Sequence, residues 1–311
     1  MLEKCEACPR YCRVNRETGQ RGYCKCDNKI KVALVSTHYF EEPCISQRNG
    51  SGTIFFSNCN LNCIYCQNYE ISQDGKGLEI TTERLAEIFV EQQERGVNNI
   101  NLVTPTMYVY QIIDAIKIAK KQGLIIPVVY NTNGYENVET IKMLDGLIDI
   151  YLPDLKYFSD NIAIKYSNAP NYFERATTSI KEMYKQVGNA EFNEDGTLKK
   201  GVIIRHLILP NHIQNTKNIL KWIKENMPEE VLVSVMAQYF PTHKAKNDIL
   251  INRKINNKEY KEIEKYLYTL NIKNGYMQDL GKHEEEYVPK FDMRNVKNTW
   301  IILQKCNIKE T

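Results

Sequence analysis

The spacing of three cysteines constrains this chain more than any other feature of its sequence. Cys59, Cys63 and Cys66 write CxxxCxxC within eight residues. Three thiolates this close together can bind three irons of a cubane four-iron four-sulfur cluster, which leaves the fourth iron without a protein ligand. An open metal position is where chemistry occurs, as the contrast between catalytic and structural zinc sites illustrates. The spacing therefore predicts a cluster that takes part in chemistry.

A zinc knuckle and an ordinary electron-transfer cluster are the alternatives for the same segment. Either one needs a fourth cysteine or histidine at short spacing. The neighbouring cysteines in the sequence are Cys44 and Cys306, and neither is adjacent to the trio. The cluster with an open iron is therefore the favoured interpretation.

A second group of cysteines lies at the N-terminus. Four cysteines within about twenty residues can bind a metal, and a segment this small needs such a link to fold. We expect Cys5, Cys8, Cys12 and Cys24 to form the set, with Cys26 left over or as an alternate. The spacing leaves both zinc and an iron–sulfur cluster open, and a structural role is the expectation.

Composition narrows the class of protein. The 311 residues are 42% hydrophobic and 25% charged, as in ordinary soluble globular proteins. A net charge of +3 is too small to indicate nucleic acid or an anionic membrane as a partner. The absence of a signal-like or membrane-spanning stretch leads us to expect a cytoplasmic protein. Nine of the ten cysteines lie at or before Cys66, which favours metal binding, and an exposed iron suggests an anaerobic setting.

Apolar runs alternate with amphipathic segments between about Ser51 and Tyr276. The runs are short and rich in β-branched and aromatic residues, as parallel strands covered on both faces are. Six strand–helix units over about 230 residues fall short of the eight in a closed barrel. A parallel α/β fold places its ligand site at the carboxyl ends of the strands. The predicted strands are Thr53–Phe56, Asn99–Val103, Ile126–Tyr130, Leu147–Leu152, Val202–Leu209 and Val231–Met236.

Local signals add detail to this outline. Thr81 and Asn257 are predicted helix N-caps. The polar residues 189–197 predict a loop or hairpin before the fifth strand, either over the barrel mouth or elsewhere on the surface. We expect three regions: a Cys-rich metal-binding segment at 1–50, the barrel at 51–290 and a tail at 291–311.

The cysteine motif and its surroundings resemble a known superfamily. CxxxCxxC with an aromatic residue, Tyr65, before the last cysteine is similar to the motif of radical S-adenosylmethionine enzymes. The run from Gly52 to Phe56 and the sequence Cys66-Gln67-Asn68 resemble glycyl-radical-enzyme activases. They are still more similar to uncharacterised proteins described as pyruvate formate-lyase activating enzyme-like. The resemblance implies a partial (β/α)6 TIM-like barrel, a 4Fe-4S cluster and S-adenosyl-L-methionine.

The same resemblance implies an oxidoreductase activity. Such enzymes cleave S-adenosylmethionine reductively to a deoxyadenosyl radical, which abstracts hydrogen from a protein or peptide. An electron donor of the flavodoxin or ferredoxin type is expected with it. A small metabolite as substrate, or a non-catalytic iron–sulfur electron carrier, is the alternative. No nucleic acid is expected, because the sequence has no strongly basic stripe.

The resemblance also implies cofactor-binding residues at the strand ends. Thr104 and Thr106 stand where activases have Gly-Gly-Glu, so no carboxylate follows the second strand. Alternation on the fifth strand allows only one of Arg205 and His206 to face the lumen. We expect Arg205 there, aimed at the carboxylate of the cofactor, and His206 under a helix. The implied cofactor-binding set is Tyr65, Thr104, Thr106, Thr132, Asn133, Asp154, Lys156 and Arg205, and no catalytic residue is assigned.

Overall fold

A parallel sheet that forms an open barrel is the centre of the protein. The computed structural model describes residues 1–281 and 289–297, so most of the tail predicted at 291–311 lies outside the described residues. The strands within them are β1 (Ile30–His38), β2 (Ser51–Phe56), β3 (Leu78–Ile80), β4 (Ile100–Val103), β5 (Val128–Thr132), β6 (Ile150–Pro153), β7 (Glu191–Phe192), β8 (Leu198–Leu207), β9 (Leu232–Met236) and β10 (Gly275–Met277).

The order of these strands confirms the predicted fold class. Strands β2, β4, β5, β6, β8, β9 and β10 are neighbours in that order, and each of these pairs is parallel. All six predicted strands are present, and β10 is an additional parallel strand of three residues. The sheet stays open, because β3 and β10 lie at its two ends.

Most of the helices lie in the crossovers between neighbouring parallel strands. The helices of the described residues are α1 (Pro43–Ser46), α2 (Tyr69–Ser72), α3 (Thr82–Glu94), α4 (Val109–Lys121), α5 (Val138–Lys142), α6 (Asp160–Ser167), α7 (Tyr172–Val187), α8 (Ile213–Asn226) and α9 (Asn257–Leu270). The apolar stripe of α4 packs on the sheet through residues at helical spacing, which include Val109, Ile112 and Ile116. None of these helices has both the length and the apolar character needed to cross a bilayer.

The two predicted N-caps have different outcomes. Thr81 caps α3, where its hydroxyl accepts a hydrogen bond from Arg84 N. The prediction of Asn257 is wrong by one residue, because Asn256 caps α9. Glu259 stands three residues after Asn256, and the two form a reciprocal capping box that Asn257 is not positioned to make.

The N-terminal strand extends the barrel sheet. β1 pairs antiparallel with β2 on one side and with β3 on the other, so the sheet continues across residue 51. The predicted hairpin before the fifth strand is present, as β7 pairs antiparallel with the beginning of β8. The hairpin lies at the N-terminal end of the barrel, because it pairs with the first residues of β8. The mouth of the barrel is at the opposite end, where the parallel strands end.

Candidate active site

The loop that carries the three spaced cysteines follows the C-terminal end of β2. Residues 57–68, the cluster loop, connect β2 to α2. Its backbone is held by the end of α6: Asn62 N donates to Ser167 O at 3.1 Å, and Ile64 N donates to Tyr166 O at 2.8 Å. The loop is therefore fixed at the edge of the barrel where ligands of this fold class bind.

Each sulfur of the trio has a polar partner. Asn133 Nδ2 donates to Cys59 Sγ at 3.4 Å, and the Ser167 hydroxyl donates to Cys63 Sγ at 2.9 Å. Cys66 Sγ lies 3.2 Å from the Ser72 hydroxyl. Hydrogen bonds to cysteine sulfurs orient metal ligands and set the reduction potential of iron–sulfur clusters. The environment of the trio therefore fits a cluster.

Burial affects the protonation of these thiols. Burial raises the pKa of Cys59 and Cys66 above the ordinary thiol value and that of Cys63 to about 11. They therefore remain thiols at neutral pH until a metal displaces their protons. Among residues 1–281 and 289–297, no three Cys, His, Asp or Glu side chains are placed to hold a single metal ion. A cubane does not require such convergence, because its irons occupy separate corners.

The cluster loop opens onto a large cavity inside the barrel. Its volume is about 1040 Å³, and Cys63 and Cys66 form part of its wall, whereas Cys59 lies behind them beside Asn133. A cavity of this size is at the upper end of the range for small-molecule sites. Tyr65 also lines it, and its hydroxyl lies 2.5 Å from that of Tyr157.

A cluster of charged groups lies in the same cavity. Arg205 is its centre: Nε donates to Asp154 Oδ1 at 3.0 Å, and Nη2 donates to Asn131 Oδ1 at 2.6 Å. Nη1 donates to Glu41 Oε2 at 3.3 Å. Lys156 Nζ forms a second ion pair with Asp154 at 2.5 Å. These residues come from the ends of three different strands and from the segment after β1.

The ion pairs keep these groups charged despite their burial. Burial acts to raise the pKa of Asp154, but Arg205 and Lys156 together hold it below its usual value. Burial acts to lower the pKa of Lys156 and of Arg205, and the neighbouring carboxylates raise both. The cavity therefore presents fixed charges to whatever binds in it.

The residues predicted from the strand ends fall into two groups. Asp154, Lys156 and Arg205 point into the cavity together, and Tyr65 joins them. His206 is turned away as expected: its ring nitrogens contact Leu155 O at 2.7 Å and the Thr216 hydroxyl at 3.0 Å. The other predicted residues are not on the cavity wall, namely Thr104, Thr106, Thr132 and Asn133.

A buried glutamate, Glu136, accepts hydrogen bonds from two of the predicted threonines. Both Thr106 and Thr132 donate through their hydroxyls to Glu136 Oε1, with the Thr106 bond at 2.6 Å. Burial raises the pKa of Glu136 to about 7, although these two hydroxyls act in the opposite direction. Thr104 has a φ of 61°, a left-handed conformation that is strained for a β-branched residue.

Three polar residues of the cavity wall close to Arg205 were not predicted from the sequence. Asn131 lies one residue before the predicted Thr132, and the alternation along β5 indicates that only one of them faces inward. Glu41 and Glu42 come from the segment after β1, which carries no strand-end pattern. Only the long-range packing of that segment brings them to Arg205.

The N-terminal cysteines enclose a much smaller space. Cys5, Cys8, Cys12 and Cys24 line a cavity of about 10 Å³, and Cys26 is not on its wall. Cys26 instead accepts a hydrogen bond from Asn58 Nδ2 at 3.3 Å.

Arg16 lies against this cysteine group and is only 1% exposed. Its Nη1 donates to Met107 O at 2.6 Å and lies 4.0 Å from Cys5 Sγ.

Comparisons with known proteins identify the family. Residues 53–197 match the profile of the Radical SAM superfamily. An uncharacterized protein of Methanocaldococcus jannaschii is 34% identical over 280 residues, which cover 86% of this chain and 74% of that protein. A second uncharacterized protein of the same organism is 24% identical over 234 residues, which cover 70% and 64% of the two chains.

Solved structures agree with the fold. SuiB of Streptococcus suis bound to S-adenosylmethionine matches with a TM-score of 0.50 and 15% identity, over 75% of this chain and 50% of SuiB. SuiB bound to the precursor peptide SuiA matches with a TM-score of 0.50 and 14% identity, over 74% of this chain and 48% of SuiB. At this identity the likeness shows the fold alone, and this chain spans about half the length of SuiB.

Proposed function

Because this chain belongs to the radical SAM superfamily, which implies a 4Fe-4S cluster and S-adenosylmethionine, we propose that Cys59, Cys63 and Cys66 bind the cluster. One observation carries this proposal. Three cysteines of one loop are each hydrogen-bonded at sulfur, and two of them open onto a cavity lined by fixed charges. When bound, the cluster and S-adenosylmethionine supply the reductive cleavage that yields a deoxyadenosyl radical.

Arg205 is the residue proposed to bind the carboxylate of S-adenosylmethionine. A guanidinium has five N–H donors, and Arg205 uses three of them on Asp154, Asn131 and Glu41. The bonds within the described residues therefore leave two donors for a ligand in the cavity. A carboxylate matches that geometry well.

Asp154 and Lys156 are proposed to contact the cofactor and the substrate. Their ion pair of 2.5 Å keeps both side chains charged in the cavity. The segment after β6 therefore presents one negative and one positive charge to a ligand. Asn133 and Tyr65 are proposed to act next to the cofactor, since Asn133 donates to Cys59 Sγ and Tyr65 lines the cavity. Thr104, Thr106 and Thr132 are proposed as cofactor contacts from the resemblance alone, because none of them is on the cavity wall and Glu136 binds the hydroxyls of Thr106 and Thr132.

The proposed substrate is a protein or peptide from which hydrogen is abstracted, as by a glycyl-radical activase. The sequence resemblance supports the activase-like form, and the SuiB complex with SuiA is an example of this fold with a peptide. The 1040 Å³ cavity also suits a small metabolite, which is the second candidate substrate. An electron donor of the flavodoxin or ferredoxin type is proposed from the resemblance alone.

Cleavage of S-adenosylmethionine by the anaerobically reconstituted chain tests this function. The full chain, reduced with dithionite, is expected to form 5′-deoxyadenosine and methionine, both measured by chromatography. Cys63→Ala should lower the rate by about 1000-fold or more, because a ligand of the cluster is lost. Cys44→Ala removes a buried thiol outside the trio and should keep the wild-type rate. A Cys63→Ala protein that cleaves at the wild-type rate contradicts the assignment.

We also propose that Cys5, Cys8, Cys12 and Cys24 bind a second metal centre, either zinc or an iron–sulfur cluster. Arg16 supports an anionic centre: within the described residues it pairs with no carboxylate, and a buried cation requires an anionic neighbour. Analysis of zinc, iron and sulfide tests the proposal. The wild-type chain should hold either about one zinc or about four irons in addition to those of the cluster loop, and Cys8→Ala should lose that metal. Equal metal contents in the two proteins contradict the proposal.

A further inference from the structure

The segment after β1 closes the N-terminal end of the barrel. Residues 39–50, the plug, run from the end of β1 to the start of β2, while the cluster loop leaves the opposite end of β2. Asn98 Nδ2 donates to Ser46 O at 2.5 Å, and Asn99 Nδ2 donates to Ile45 O at 2.9 Å. Cys44 and Ile45 pack among the inward residues of the strands, including Val129, Ile150 and Leu232. The plug is therefore a fixed floor of the cavity.

Two carboxylates of the plug belong to the cavity wall. Glu41 Oε2 forms an ion pair with Arg205 Nη1 at 3.3 Å. Glu42 is only 8% exposed, and its Oε2 is buried without a hydrogen-bond partner in the described part of the chain. A buried carboxylate oxygen without a partner costs free energy, so such atoms in native structures require an explanation.

Carboxyl groups outnumber cations on the inner wall of the cavity. Three buried carboxyl groups face this part of the cavity: Glu41, Glu42 and Asp154. Arg205 and Lys156 are the two buried cations, and their ion pairs go to Glu41 and Asp154. Arg48 of the plug also borders the cavity, but its side chain is exposed. Glu42 is the carboxyl that forms no ion pair within the described residues, although the charge of Arg205 acts on it at longer range.

We propose that Glu42 binds a primary ammonium group of the substrate, so the substrate of the proposed radical reaction carries an amine. The surroundings of the floor suit an apolar stem that ends in such a group. Tyr276 and Ser234 lie close to the Glu42 carboxyl, and Leu207 and Met236 line the cavity farther along, at the C-terminal ends of β8 and β9. Burial raises the pKa of Glu42 more than Arg205 lowers it, so a further cation beside this carboxyl would favour its ionised form. The amine belongs either to a lysine side chain or to a small free amine.

This inference rests on the proposed function for the identity of the substrate, but its test does not require turnover. Calorimetric titration of the full, reconstituted chain with saturating S-adenosylmethionine measures binding directly. The free-amine probes are n-pentylammonium and its neutral counterpart 1-pentanol. The peptide probes are acetyl-Gly-Lys-Gly-amide and the same peptide with norleucine. In the wild type, the charged member of at least one pair should bind about tenfold more tightly or better. The pair that shows this preference identifies the source of the amine.

Glu42→Gln distinguishes charge recognition from a structural role. It keeps the shape of the side chain and should remove the preference for the ammonium probe, while Glu42→Asp should restore part of it. Glu94→Gln changes an exposed glutamate of α3 and should leave every affinity unchanged. A thermal melt confirms that each variant is folded.

Two results overturn the inference. The first is a wild-type chain that binds neither charged probe more tightly than its neutral counterpart, including one that binds none of the four. The second is a Glu42→Gln chain that keeps the preference for the charged probe. If that variant also loses affinity for S-adenosylmethionine, the carboxylate is assigned to the amine of the cofactor. Failure of the wild type to form deoxyadenosine is a separate result, which rejects the proposed function.

Discussion

The two cysteine-bearing regions of this chain have the same kind of residue in opposite surroundings. In the cluster loop, Cys63 and Cys66 open onto a cavity of about 1040 Å³ with fixed charges on its wall. In the N-terminal segment, four cysteines enclose about 10 Å³ against the buried Arg16. The cysteine spacing alone makes both regions candidate metal sites. The two regions differ in that only the cluster loop opens onto a large cavity.

This difference indicates a division of roles. A metal site with an open position and room for a substrate suits chemistry, whereas a closed site suits stability. Substitutions in the cluster loop should therefore affect activity, and substitutions in the N-terminal segment should affect folding.

The largest effect is expected from the cysteines themselves. Cys59→Ala should lower S-adenosylmethionine cleavage by about 1000-fold or more, with little change in the melting temperature of the apoprotein. Cys12→Ala should lower the melting temperature and keep cleavage within about threefold of the wild type at a temperature where it is folded. Cleavage assays and thermal melts of both variants check this. Equal loss of cleavage in both would remove the distinction between the regions.

Removal of the buried arginine should be the next largest effect. Arg16→Met leaves the carbonyls of Asp27 and Met107 without their donor and the cysteine group without its cation. We expect a loss of about 3 kcal/mol in the free energy of unfolding, measured by denaturant titration. Arg21→Met removes an exposed ion pair with Asp27 and should change the free energy of unfolding far less than Arg16→Met does. A similar small cost for Arg16→Met would mean that its burial has no electrostatic role.

Glu136, which lies between the two regions, should make stability depend on pH. Burial raises its pKa from 4.5 to about 7, so the folded chain holds a proton that the unfolded chain has released. Stability should therefore fall as the pH rises from about 4.5 to 7, by about 3 kcal/mol, and then level off. Glu136→Gln should remove this part of the slope in denaturant titrations at pH 5, 6, 7 and 8. An unchanged slope in the variant would show that other groups cause it.

Arg205 should show the smallest of these effects, on cofactor affinity. Arg205→Gln removes a guanidinium that leaves two donors unused within residues 1–281 and 289–297, so the Kd for S-adenosylmethionine should rise about tenfold. Arg253→Gln breaks a surface pair with Glu259 and serves as the matched control, with no expected change. Equilibrium binding by calorimetry measures both. An unchanged Kd for Arg205→Gln would move the carboxylate site elsewhere in the cavity.

Much of the fold follows from local patterns in the sequence. Apolar runs identified all six predicted strands, because strands buried on both faces have few polar residues. The shortest strand of the barrel, β10, has three residues and no period to detect. β1 was missed although it has nine residues, since its partners β2 and β3 are set by tertiary pairing rather than by its own sequence.

The sequence predicted the parts of the site in which side-chain directions follow from alternation along a strand. Alternation separates Arg205 from His206 correctly, because neighbouring side chains on a strand point to opposite faces. Thr106 and Thr132 were expected near the cofactor, but their hydroxyls bind Glu136. Glu41 and Glu42 were not expected at all, since only the packing of the plug brings them into the barrel. Long-range placement of polar groups is thus what the sequence did not reveal.

The most direct test of the central claim is the electron paramagnetic resonance spectrum of the reduced cluster with and without S-adenosylmethionine. An iron that lacks a protein ligand should bind the cofactor, so the spectrum of the wild type should change on its addition. The Cys8→Ala variant should show the same change, because its cluster loop is intact. An iron–sulfur signal that is unaffected by S-adenosylmethionine in the wild type would contradict the account.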